Sequence, residues 1–242
     1  MKWSKSPHRP PHLYVDDAWY FVTASTLNKA NILSSDNHFN LWLSILKSLI
    51  AEFKIKLTAW VVLPNHYHLL FLPQSGDHLG GFMKRFNGRT SYEFNSLDQA
   101  KGRSVWYSYW DTCIRGERDF WTRFNYIHYN PVKHGYVQNP EDWHFSSYRY
   151  YVRDDGDVWL KNSLRDFPIY DLFDDDKSEK RTEVRDPFLG ASTCFPLFMA
   201  LPPPSRGAQE ILQAVSQAER WAHTAPFCMP TSLGCFCSSP LT

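Results

Sequence analysis

Two short stretches of this chain carry side chains that can do chemistry. The first is His66-Tyr67-His68. In an extended strand alternate residues share a face, so the two imidazoles point the same way, about 7 Å apart, and can converge on one metal ion. Tyr67 points to the opposite face, into the core. The pair follows Pro64-Asn65, a turn, where side chains meet at a sheet edge. It is followed by Leu69-Leu70-Phe71-Leu72, which makes the strand buried and rigid. Taken alone, an H-x-H pair is equally the pattern of two unrelated surface or core histidines. The second stretch is FNYIHYNPVKHG, residues 124–135. On a helix Tyr126 and Asn130 are i, i+4 neighbours, and Arg123 lies one turn before Tyr126. A phenol is a weak nucleophile at its free pKa of about 10, and a nearby cation or metal activates it or polarises its target. The same placement describes an amphipathic tyrosine at a core boundary, and His128 and Tyr129 compete with Tyr126 for any chemical role. Pro131 disfavours helical geometry at the residue before it, which puts Asn130 at the helix end.

These residues need a scaffold, and the pattern supplies one. Trp19 to Thr26 is rich in aromatic and β-branched residues and reads as a strand. Phe39, Trp42, Leu43, Leu46, Leu49, Ile50 and Phe53 recur at spacings of three and four, an amphipathic helix with Asp36 as its N-cap. Ile55 to Leu63 alternates as a strand, and HYHLLFLP returns after the Pro-Asn turn. Phe82 to Leu97 reads as a second helix interrupted by Gly88, Ser104 to Ile114 as a fourth strand, and Glu117 to Asn130 as a third helix burying Phe120, Trp121, Phe124 and Ile127. The order β-α-β-β-α-β is that of an α+β, ferredoxin-like antiparallel sheet with two helices on one face, here with a further, C-terminal helix carrying the tyrosine.

Composition bounds the partners. The chain has 242 residues and a formal net charge of +1, but residues 1–153 hold 18 Lys and Arg against 12 Asp and Glu, and residues 154–242 hold 8 against 13. An anionic partner is therefore expected on the first part. Aromatics make up 17%, most of them for core packing and some for stacking on exposed bases. Five cysteines, an odd number, give no disulfide framework, and Cys235-x-Cys237 lacks the partners of a zinc site. No apolar run reaches membrane-span length, no secretory signal is evident at the polar, proline-broken start, and no phosphate-cradling glycine loop is present. A cytoplasmic protein without membrane or nucleotide cofactor is expected. Three parts are expected: residues 1–15 as a flexible lead-in, 16–152 as the functional domain, and 153–242 as an acidic, then weakly ordered extension. Asp171 to Glu179 is the acidic cluster of that extension, and Gln209 to His223 its one short candidate helix.

Four segments together resemble one family. VVLPNHYHLLFLP (61–73) resembles the histidine strand of the HUH-type single-tyrosine transposases, and NYIHYNPVKHGYV (125–137) their tyrosine helix. WYSYWDTCIR (106–115) and EDWHFSSYRYY (141–151) are similar to segments of the branch associated with repetitive extragenic palindromes (REP). The resemblance covers about residues 15–152. It implies His66 and His68 as metal ligands, Tyr126 as nucleophile and Asn130 as the third protein ligand, a mixed N/O set suited to Mg²⁺ or Mn²⁺. It implies cleavage and rejoining of one strand of single-stranded or hairpin DNA through a 5′-phosphotyrosine link, by a monomer or homodimer. DNA holding then falls to Lys84, Arg85, Arg89, Lys101, Arg103, Arg123, Lys133 and Arg149, with Ser146 and Ser147 as phosphate donors and Trp106, Tyr107 and Tyr109 as candidates for base stacking. The alternative is a domesticated hairpin-binding protein that no longer cuts. A conjugation-type nickase fits the short chain less well, and the aromatic pattern of an RNA-binding ferredoxin-like sheet is absent.

Overall fold

The structure is a computed structural model and describes residues 15–169. The lead-in before residue 15, the acidic cluster, the candidate helix at 209–223 and every cysteine except Cys113 lie outside the described residues. Strand β1 (Tyr20–Thr26) is followed by helix α1 (Asp36–Phe53), strands β2 (Lys56–Val62) and β3 (His66–Leu72), helix α2 (His78–Leu97), strand β4 (Trp106–Cys113) and helix α3 (Glu117–Lys133). Two short helices complete the unit, α4 (Tyr148–Asp155) and α5 (Asp157–Asp166). The sheet order is β2-β3-β1-β4 with every neighbour antiparallel, the ferredoxin-like arrangement expected from the pattern.

The period-2 alternation of the strands divides the core in two. Tyr20, Val22 and Ala24 of β1, Trp60 and Val62 of β2, and Tyr67, Leu69 and Phe71 of β3 face α1 and α2. Phe21, Ala59, Val61 and Leu70 face the other way, against Phe120, Phe124, Tyr126 and Ile127 of α3 and Tyr151 and Leu160 of α4 and α5. Trp42 is fully buried and touches the Trp60, Tyr67 and Phe86 rings, so α1, α2 and the sheet share one aromatic knot. Because β3 is an inner strand, the histidine pair lies at its turn end between β2 and β1, not at a sheet edge.

Four local expectations change. Ser35, in extended geometry, is the N-cap of α1, and Asp36 is its first helical residue. Gly88 does not interrupt α2, which runs unbroken through it. Pro131 does not end α3 at Asn130: the helix continues to Lys133 and buries Asn130 completely. The proline sits in the last turn, where the ladder is already giving way to end bonds. Gly135 N–H donates to Val132 O (2.9 Å) and Tyr136 N–H to Pro131 O (2.9 Å), with Gly135 at a φ of +72°, a Schellman closure that favours glycine. Lastly, the packed unit continues past residue 152, since Asn125 of α3 donates to the carbonyls of Ser163 and Phe167 at 2.9 Å each.

The segment between α3 and α4 closes the outer edge of β2. Val62 N–H donates to Phe145 O (3.0 Å), Ser147 N–H to Trp60 O (2.9 Å), and Trp60 N–H to Ser147 Oγ (3.0 Å). His128 Nε2 meets the same Ser147 hydroxyl at 2.7 Å, tying α3 to this seam. Burial pushes the His128 imidazole down to about 3, so the ring is neutral near pH 7.

Candidate functional site

The site is built from three elements far apart in sequence. β3 contributes His66 and His68, which share a face as their spacing requires; their ring centroids are 5.1 Å apart. Tyr67 points to the opposite face and donates its hydroxyl to Asn87 Oδ1 of α2 at 2.6 Å. α3 lies over β2 and β3 and brings Tyr126 and Asn130 onto the histidine face. The Tyr126 ring is edge-on to His68, centroids 5.2 Å apart, and Asn130 Oδ1 is 3.1 Å from His66 Nε2. β1 supplies Thr23, cross-strand neighbour of His68, with Oγ1 at 2.8 Å from His68 Nδ1.

Each imidazole is thus held at Nδ1 and presents Nε2. Asn65 Oδ1 lies 2.6 Å from His66 Nδ1 and is an acceptor, so that nitrogen carries the proton. In the neutral ring, the His66 Nε2 lone pair then faces the Asn130 oxygen, a pairing that a shared proton or a shared cation makes favourable. His68 Nε2 is buried and, among the described residues, has no hydrogen-bond partner; the same holds for Asn130 Nδ2. Burial first, then the neighbouring His66, His134, Lys133 and Arg123, hold the His68 pKa well below the usual histidine range, which keeps the ring in the neutral form that ligates metals. Two imidazole nitrogens and an amide oxygen, one orphaned and the other two facing each other, fit a divalent cation of the Mg²⁺ or Mn²⁺ type. The separation of 3.1 Å between His66 Nε2 and Asn130 Oδ1 matches adjacent ligands of an octahedral ion at about 2.1 Å. No group of three or more His, Cys, Asp or Glu suited to a metal occurs among the described residues.

Cations surround the tyrosine. Lys133, two turns on, places Nζ 3.5 Å from the Tyr126 hydroxyl and 4.8 Å from its ring centroid. Arg123 is paired with Asp119 at 2.7 Å and lies over the Phe21 ring at 4.8 Å, and Phe21 in turn touches Tyr126. Tyr129 is only partly buried, and His128 is committed to Ser147, which leaves Tyr126 as the tyrosine at the histidine pair.

The remaining sequence-derived DNA contacts do not converge here. Lys84, Arg85 and Arg89 are exposed on α2, which packs on the opposite sheet face, and Arg85 pairs with Glu52. Arg103 is held by Asp98 (2.7 Å) and Asn95 (2.9 Å). Arg149 is exposed and donates to Glu141 O; Lys101 is exposed on the turn after α2. Ser146 and Ser147 are corrected outright: both are buried, and their hydroxyls are spent on Trp143, Tyr148, Trp60 and His128, so no phosphate reaches them from solvent. Trp106 and Tyr109 pack against the core, whereas Tyr107 is 61% exposed.

Sequence reasoning missed Thr23, Asn65 and His134, whose ring lies 4.8 Å from that of His66. Asn65 sat in plain view beside the pair, but a turn was sufficient explanation for it. Nothing in the sequence marks a threonine in a β-rich strand as an imidazole holder.

Comparison with known proteins gives the family. Residues 14–130 match the family described as Transposase IS200 like. The chain is 30% identical over 138 residues to the REP-associated tyrosine transposase of Escherichia coli (strain K12), which covers 56% of this chain and 79% of that one. The chain belongs to the REP-associated tyrosine transposases. A second member, the putative REP-associated tyrosine transposase of Haemophilus influenzae, is 31% identical over 139 residues, 53% of this chain and 78% of its own. Among solved structures, a REP-associated tyrosine transposase bound to a REP hairpin aligns with a TM-score of 0.51 at 24% identity, over 62% of this chain and 86% of the other, and shares the fold. Membership makes the chain a member of an enzyme family. No helix among the described residues is long and apolar enough to cross a membrane.

Proposed function

We propose that this transposase cleaves and rejoins one strand of single-stranded or hairpin DNA, with Tyr126 as nucleophile and His66, His68 and Asn130 as the holders of a Mg²⁺ or Mn²⁺ ion. The observation that supports it is the meeting of Tyr126 with a buried, neutral imidazole whose Nε2 has no protein partner among the described residues. Bound there, the ion supplies Lewis-acid polarisation of the scissile phosphate. Thr23 accepts from His68 Nδ1–H and Asn65 from His66 Nδ1–H, which turns the Nε2 lone pair of each ring toward the site for ligation. The Lys133 ammonium beside the phenol oxygen favours phenolate character as Tyr126 attacks. The Tyr126 Oη–P bond forms as the P–O3′ bond breaks; the proton given up by the phenol matches the one taken by the departing 3′ oxygen. A 3′-OH attacking the phosphotyrosine reverses the step, so the phosphodiester bond is conserved without a nucleotide cofactor.

The hairpin comes into this reading from the structural relative, which was seen bound to one. The test is incubation with labelled hairpin DNA and Mn²⁺, resolved on a denaturing gel, with Tyr126→Phe alongside. A covalent protein–DNA band that Tyr126→Phe abolishes is the expected result. Binding without a band over a range of hairpins replaces it with the non-cleaving hairpin binder, and a band that survives Tyr126→Phe moves the nucleophile to Tyr129.

A further inference from the structure

β4 carries a bulge that the established family role does not explain. Ser25 of β1 faces Ser108 and Thr26 faces Trp106, so Tyr107 is the extra residue on the β4 side. Bulges of this kind re-aim a side chain, and they gather beside active sites. Here the bulge turns Tyr107 outward, 61% exposed, and sets its ring 6.3 Å from that of Trp110 at an interplanar angle of 36°. Trp110 belongs to neither hydrophobic cluster and is partly exposed, as are Ser108 and Thr112 along the same strand.

Register places this pair with respect to the site. Thr23 is the cross-strand neighbour of His68 on one side and of Trp110 on the other. Trp110 therefore stands on the histidine face, two strand spacings or about 10 Å from His68. α3 covers the β2–β3 half of that face, and the face continues past Tyr126 over Thr23 and Ser25 to Trp110 and Tyr107. Two open aromatic rings continuous with a phosphodiester-cleaving centre have the chemistry of a stacking platform for unpaired bases.

We infer that Trp110 and Tyr107 stack on unpaired bases of the DNA strand next to the phosphate that Tyr126 attacks, and so select substrates with a single-stranded flank. This rests on the DNA-cleaving reading above, and the experiment separates the two. Affinity is measured by fluorescence anisotropy for two probes: a DNA hairpin with a short unpaired tail on either side, and the same hairpin with blunt ends. The proteins are wild type, Trp110→Leu and Tyr107→Ser; the second variant alters an exposed side chain and tests the idea even if the first folds poorly. Expected is a roughly tenfold or greater loss on the tailed probe for Trp110→Leu, a smaller loss for Tyr107→Ser, and no change on the blunt one. The salt dependence stays the same, because no phosphate contact is removed. Abasic residues in the tail reproduce the loss in wild type and add little to it in Trp110→Leu. Equal losses on both probes, or none, overturn the inference, as does a change of molar mass in either variant, which would make this face an interface between copies. A wild-type protein that forms the covalent band yet does not distinguish the probes overturns the stacking and leaves the cleavage reading standing; one that binds neither probe overturns both.

Discussion

Replacing Thr23 by valine removes one hydroxyl and almost no volume, and it isolates what holds His68. Among the described residues Thr23 Oγ1 is the hydrogen-bond partner of His68 Nδ1, at 2.8 Å, in a site where His68 is 2% exposed. Valine is a good strand residue, so backbone and packing survive. The variant leaves a buried ring nitrogen unsatisfied, which costs about 1–3 kcal/mol of stability without metal. It also frees the imidazole to change tautomer and orientation, and loss of such an outer partner weakens metal binding by about 10–100-fold, equivalent to roughly 1.4–2.7 kcal/mol. The assay is calorimetric titration of metal-free protein with Mn²⁺ at pH 7.5, beside thermal unfolding, for wild type, Thr23→Val and Thr23→Ser. Serine keeps the oxygen and is expected to keep most of the affinity. If Thr23→Val binds Mn²⁺ like wild type while melting earlier, the hydroxyl only packs the core, and the reasoning fails. If serine loses as much affinity as valine, the methyl and not the hydroxyl is responsible.

Three further outcomes are expected. Asn130→Ala weakens Mn²⁺ binding about tenfold or more while leaving metal-free stability nearly unchanged, because it also removes the lone-pair opposition at His66; titration and melting read the two halves separately. His128, with an imidazole at about 3 in the fold and about 6.5 in the unfolded chain, contributes stability that is complete above pH 6.5 and falls away as the pH drops toward 3. That is roughly 2 kcal/mol lost by pH 5, and denaturant unfolding of His128→Gln between pH 7 and 5 should show a correspondingly shallower decline; equal declines would refute the assignment. Gly135→Ala strains the left-handed residue that closes α3 and costs about 1 kcal/mol in urea unfolding, with no neighbouring atom to clash with the added carbon.

The sheet and its helices were legible because period-2 and period-3.6 patterns are consequences of burying one face, and this chain buries both sheet faces under helices of clear period. His66, His68 and Tyr126 were legible for the same reason: strand alternation and helical spacing decide which side chains can meet. Pro131 misled because backbone propensity speaks for the residue before it, whereas burial of Asn130 and the closure at Gly135 decide the helix end. Ser146 and Ser147 misled because a hydroxyl offers the same chemistry to a phosphate as to an edge strand, and only the seam along β2 shows which one uses it. Trp110 was not among the stacking candidates, because its place on the histidine face follows from cross-strand register, which the sequence does not display.

The strand order sets the sequence in which the proposed site is assembled. β2 and β3 are joined by a tight turn and pair locally, whereas β1 must find β3 and, about ninety positions along, β4. Local hairpins close in microseconds, and distant pairings wait on long loop closures. The half-formed chain thus holds both histidines on a hairpin but lacks the threonine that orients one of them and the helix that carries the tyrosine. Pulse-labelled hydrogen exchange during refolding should protect β2 and β3 before β1 and β4. Under the proposed reading, a chain that has formed only the hairpin has no tyrosine over its histidines, and the site is complete once β1 pairs with β3 and α3 packs over the sheet.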